Sequence, residues 1–213
     1  MGSHGGASAE GQLEIVNSYG VTEEAVGVPV LPTMEVVQLG TLDDGTPVYC
    51  DRFAAQADGL VLLNKVKPHT DFKGPYESGL AKMMAIGLGN HKGASMFHMM
   101  GMDTFPERIP KVAEVYLRTL PVLFGIAAVQ NAYDDLCLLE VVPADRLMER
   151  EPVLLNIAKD RMGKFKFDDI DVLVVDEIGK NISGAGLDPN IVGRNFSRNL
   201  SGVLRLKKLF VRG

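Results

Sequence analysis

Short apolar runs alternate with amphipathic segments along most of this chain, and that alternation restricts it to layered α/β architectures more tightly than any other feature. The run GLVLLNKV (59–66) predicts a buried strand, and PERIPKVAEVYLRTL (106–120) carries apolar residues at helical spacing. PVLFGIAAVQ (121–130) and CLLEVVP (137–143) predict two further strands. AEGQLEIVNSYG (9–20) reads as a helix closed by Gly20. MEVVQLGT (34–41) reads as a strand, with PVYCD (47–51) pairing nearby after the DDG turn. Residues 143–163 are expected to be mostly helical, and VLVVDEI (172–178) has the pattern of a central strand leading into a glycine-rich loop. The expected fold is therefore α/β, a mostly parallel sheet flanked by helices. A shift in composition across 164–169 marks a boundary between a first domain, 1–166, and the beginning of a second α/β domain, 167–213.

Charge and cysteine usage narrow the function classes. A formal net charge of −5 and a pI near 5.4 argue against a general nucleic-acid binder. The basic tail LRLKKLFVRG (204–213) reads as a solvated element or a cut end. Cys50 and Cys137 lie far apart in apolar contexts, which suits reduced core residues better than a disulfide. No stretch resembles a secretory leader or an apolar span of about 18 residues, so a cytoplasmic protein with no membrane partner is expected.

The stretch KPHTDFKGPYESGLAK (67–82) begins where the strand GLVLLNKV stops. Ligands of open α/β sheets gather beyond the carboxyl ends of strands, which places Lys67, His69, Asp71 and Lys73 at a crevice. His69, His91 and His98 fall within thirty positions, and His4 sits in a second glycine-rich turn, GSHGGA. A lone loop histidine is most often a surface residue; glycines beside it favour a site, because they let a ligand approach the backbone. MGSH has the look of an expression-vector remnant, but it lacks a polyhistidine run and leads into a helix start at Ser8 or Ala9, so we read it as native. Lys82 stands in the apolar GLAKMMAIGLG. There an ammonium either loses hydration and becomes a nucleophile, or snorkels to water; the sequence leaves the two evenly balanced.

NKVKPHTDFKGPYESGLAKMMAIGLGNHKGASMFH and GSHGGASAEGQ resemble the core motifs of the nickel-pincer-nucleotide isomerases, the lactate racemase-like family, and DEIGKNISGAGLDPNIVGR resembles a motif of one branch of it. The resemblance implies a lactate racemase N-terminal-type domain in 1–166. It implies His4 and His69 as the two acid/base histidines, Lys82 as the lysine joined through a thioamide to a pyridinium mononucleotide, and His98 as a nickel ligand. Two sulfurs and a carbon of the cofactor would fill the other nickel positions. The implied reaction is racemisation or epimerisation of a small 2-hydroxy acid or sugar acid by hydride transfer to that cofactor. Lys67, Lys73 or Arg194 would hold a substrate carboxylate or the cofactor phosphate. His91 has no role in the resemblance and reads as a loop residue, with a phosphate contact as the alternative. The His69-to-Lys82 spacing is longer than in lactate racemases, which implies a different pocket. Family members are longer two-domain proteins, so the chain is expected to be a fragment without the upstream aspartate/arginine segment and most of the second lobe.

Two other classes compete. A phosphate- or nucleotide-binding module could use the same crevice without chemistry. A divalent-metal hydrolase could use His69, Asp71, His91 and His98, although no HxxxH or HExxH spacing sets a ligand pair on one helical face.

Overall fold

A computed structural model describes residues 4–194 and 204–212. Helix α1 (Ala9–Ser18) starts where the Ser8 hydroxyl accepts the Gly11 N–H at 3.0 Å, and the short α2 (Glu23–Val26) is capped in the same way by Thr22. Strands β1 (Val36–Thr41) and β2 (Pro47–Asp51) form the expected antiparallel hairpin, followed by α3 (Arg52–Ala55). Strand β3 (Leu60–Lys65) leads through a loop into α4 (Leu80–Lys82), which continues as a π-helical turn (Met83–Gly87), and then into α5 (Asn90–Met99). Helix α6 (Phe105–Thr119) buries Ile109, Val112, Ala113 and Tyr116 on one face and stops at Leu120, held extended by the following proline. Strands β4 (Val122–Gln130) and β5 (Leu136–Pro143), helix α7 (Leu147–Arg161), strand β6 (Asp169–Val175), α8 (Pro189–Val192) and strand β7 (Arg205–Val211) complete the order.

The fold is α/β, but its three-stranded sheet is mixed rather than mostly parallel. β3 pairs with β4 in parallel, and β4 pairs with β5 antiparallel. The reason lies in the connections. Residues 66–121 are long enough for a crossover, whereas β4 and β5 are joined by a tight turn in which Asn131 Oδ1 accepts the N–H groups of Tyr133 and Asp135. Nor is β3 buried on both faces: Leu62 is buried, while Val61 and Leu63 are exposed. The strand expected at 172–178 is placed at Asp169–Val175, and among the described residues it pairs only with β7, so it is not central in a sheet. Cys50 is buried, its thiol pushed up to about 11 by burial, but Cys137 is exposed rather than in the core.

The core lies between the inner face of this sheet and helices α4, α6 and α7, with Leu62, Ala127, Val129, Leu80, Met84, Leu154 and Leu155 nearly inaccessible. Burying the valine, leucine and methionine side chains among them contributes roughly 1.5–3 kcal/mol each. Two contacts bring the packing to the site. Tyr116 Oη donates to the Tyr49 carbonyl at 2.5 Å, tying α6 to the hairpin, and Asn64 Nδ2 donates to the Gly79 carbonyl at 2.7 Å, tying the end of β3 to the start of α4.

Candidate active site

A cleft of about 620 Å³ opens at the carboxyl end of β3 and is lined by His4, Lys67, His69, Lys82 and His98, with Phe105 and Met102 among its apolar walls. Four separate segments supply these polar groups. His4 enters from a turn that glycine alone permits: Gly5 has φ +68°, and a Cβ there would lie 2.2 Å from the Gly11 carbonyl carbon in α1. Lys67 closes the base of the next loop through a two-hydrogen-bond bridge with Ser78.

His69 is held at both its peptide and its ring. Its N–H donates to Glu77 Oε2 at 2.7 Å, and its Nδ1 accepts the Asp71 N–H at 3.1 Å. The latter bond selects the neutral tautomer with the proton on Nε2. The ring lies against Phe72 with centroids 4.3 Å apart. Burial depresses its pKa to about 3, reinforced by the positive charges of Lys82, Lys67 and Lys73 and by His98; the Asp71 carboxylate, 3.8 Å from Nδ1, does not offset them.

Lys82 ends α4 and faces the cleft, with no carboxylate within salt-bridge distance among the described residues. Burial first, and Lys67 second, lower its pKa to about 8, against the pull of Asp71. A substantial neutral fraction at mild alkaline pH makes this amine a usable nucleophile. Its Nζ lies 5.8 Å from the Phe72 ring centroid. His98 stands near the end of α5, exposed towards the cleft, its ring 5.6 Å from Phe105.

Phe72 and Phe105, 5.3 Å apart edge-on, thus form one aromatic wall that touches His69, Lys82 and His98 together. Neither phenylalanine, nor the buried Glu77 carboxylate, stands out in the sequence; the one signal was that Phe72 and Glu77 lie inside the loop that carries His69. Three candidates lie elsewhere. Lys73 points away from the cleft to Glu77, the His69 carbonyl and Asn190. Arg194 donates to the Leu206 and Lys207 carbonyls. His91 lies in the first turn of α5 rather than in a loop, exposed and beside Ser95.

Among the described residues, no group of three or more His, Cys, Asp or Glu is placed to hold a metal ion by itself. The cleft offers three imidazoles, His4, His69 and His98, on separate segments, and one amine of lowered pKa, Lys82. This fits a metal whose remaining donors arrive on an organic group fixed to the lysine, and not one held by protein ligands alone.

An α/β domain with a strand-end cleft bearing histidines and a depressed-pKa lysine is the class that fold and site define. The chain matches the lactate racemase N-terminal domain over residues 1–108, half of its length, and it belongs to that family. No curated protein matches it.

Proposed function

We propose that this chain carries the acid/base and cofactor-anchoring half of a nickel-pincer-nucleotide isomerase that racemises or epimerises a 2-hydroxy acid. The observation that carries the reading is the convergence of His4, His69, Lys82 and His98 on one cleft. Lys82 would anchor the nucleotide through its amine, and His98 would ligate nickel. When bound, the cofactor supplies a hydride acceptor, which spares the substrate a carbanion beside its carboxylate.

The chain's own residues handle the proton and the charge. Lys67, exposed at the cleft, offers its ammonium to the substrate carboxylate. His69 takes a proton at a bare Nε2, which requires the tautomer with the hydrogen on Nδ1, where it can turn to the Asp71 carboxylate, and it gives the proton back from Nε2 as the imidazolium, whose Nδ1–H faces the same carboxylate. Asp71 therefore serves both directions of transfer. His4, from the other glycine turn, does the same work for the opposite face of the substrate. His69→Ala is expected to lower kcat by about 10²–10⁴-fold with little change in KM, as steady-state kinetics on the cofactor-loaded protein would show.

Intact mass and peptide mapping of the chain, co-expressed with the enzymes that make the nickel cofactor, test the reading. A nucleotide adduct on the peptide containing Lys82, with co-purifying nickel, is the expected result. An unmodified Lys82 that still binds a nucleotide would instead establish a binding module.

A further inference from the structure

The DPN turn at 188–190 belongs to a motif that the proposed chemistry leaves unused, yet its asparagine reaches the peptide of His69. Asn190 Nδ2 donates to the His69 carbonyl at 3.1 Å, although 121 positions separate the two residues. Its second amide hydrogen goes to Asp188 Oδ1 at 2.9 Å, and Asp188 also accepts the Asn190 backbone N–H at 2.8 Å. Asn190 Oδ1 accepts from Lys73 Nζ, which itself donates to the His69 carbonyl at 3.2 Å. Both amide hydrogens and the amide oxygen are thus engaged, and only one orientation of the amide satisfies these bonds. Pro189 is buried beneath the turn and fixes its approach.

The His69 peptide is therefore gripped from two sides. Glu77, whose side chain is fully buried, accepts the N–H, and Asn190 donates to the C=O. The N–H and the C=O belong to the two peptide planes that meet at the His69 Cα, and holding both fixes the direction of Cα–Cβ and with it where the imidazole meets the cleft. Small displacements of a reacting group are costly in rate.

We propose that Asn190 is a positioning residue for His69, locking the peptide that carries the acid/base imidazole through its carbonyl. The proposal rests on the reading of His69 as acid/base, but its test uses the cofactor-free chain, so failure of the Lys82 adduct leaves it standing. Hydrogen exchange followed by mass spectrometry would compare a peptide covering 67–79 with one covering β4. Ring ¹⁵N signals of labelled histidine would report the His69 tautomer. Asn190→Ala is expected to speed exchange in 67–79 at least tenfold, to leave β4 protection unchanged, and to mix the two tautomers. Asn190→Asp keeps an acceptor for Lys73 but has no hydrogen for the His69 carbonyl, so it is expected to behave like the alanine variant. Unchanged loop exchange and ring signals in Asn190→Ala would overturn the proposal, and so would protection lost equally in β4, which would make Asn190 a general stabiliser. An Asn190→Asp variant that behaves like the parent would show that pairing Lys73 is the whole role, and would overturn it too.

Discussion

Lys82→Met is expected to abolish the nucleotide adduct and all isomerisation, and to raise the pKa of His69 in the cofactor-free chain from its depressed value of about 3. The first two effects follow from removing the only amine proposed to anchor the cofactor. The third is a charge effect. After burial, the Lys82 ammonium is the largest cause of the His69 depression, ahead of Lys67 and Lys73. Methionine fills the same apolar space without charge, so imidazolium becomes less costly while burial still holds it below the ordinary 6.5. The same logic bears on catalysis. An imidazole with a pKa near 3 is a poor proton acceptor at neutral pH, and if Lys82 loses its charge on anchoring the proposed cofactor, that part of the depression would be lifted and His69 would move towards the range where both protonation states are available. Anchoring the cofactor would then also tune the acid/base group.

Stability supplies a second readout with a definite sign. With its folded pKa depressed to about 3 against 6.5, His69 makes no pH-dependent contribution above 6.5, and stability is lost as pH falls from there towards 3, because only the unfolded chain takes up the proton. Lys82→Met should therefore lessen the acid sensitivity of unfolding. Histidine ¹⁵N titrations of the parent, Lys82→Met and Lys67→Met should rank the His69 pKa in that order of causes, with Lys82→Met highest. An unmoved His69 in Lys82→Met would mean that the two groups do not share a cleft.

Much of this site was legible because its residues break local patterns. His69 sits where an apolar strand ends, and Lys82 interrupts an apolar run. His4 is followed by Gly5, which the chain needs for the close approach to Gly11. What was not legible depends on packing between distant segments. Phe72 and Phe105 read as ordinary core residues until the fold sets them edge-on beneath three polar groups. Asn190 and His69 are too far apart in sequence for any local pattern to link them. Its place beside His69 in the sequence predicts Lys73 at the cleft, but the buried Glu77 carboxylate and the Asn190 amide turn it inward. The mixed sheet is a different kind of miss. The short NAYDD connection between β4 and β5 is of hairpin length and cannot cross over to make a parallel pair, so antiparallel pairing was readable from loop length alone.

Glu151 carries the largest expected stability effect, and it lies directly beneath the lysine-bearing turn. Its side chain, with the residue 1% exposed, packs where Gly79 leaves room; a Cβ on that glycine would stand 2.4 Å from Oε1. Oε2 accepts the Ala81 N–H at 2.9 Å, while Oε1 has no hydrogen-bond partner among the described residues. Burial outweighs the Ala81 and Leu80 N–H groups facing it and raises its pKa from 4.5 to about 7. Below 4.5 both folded and unfolded chains hold the proton, and the group is silent. Between 4.5 and about 7 only the unfolded chain releases it, so stability falls as pH rises, and above that the penalty is constant. At about 1.4 kcal/mol per pH unit, the loss is on the order of 3 kcal/mol. Glu151→Gln keeps an acceptor for Ala81 and cannot ionise. The stability difference between Glu151→Gln and the parent should therefore move in favour of the variant by on the order of 3 kcal/mol from pH 4 to pH 8. Taking the difference cancels His69, the other carboxylates and the constant cost of an unpaired amide. Urea unfolding at the two pH values measures it, and a difference that stays flat would mean that Glu151 is already ionised in the folded chain, with a partner for Oε1.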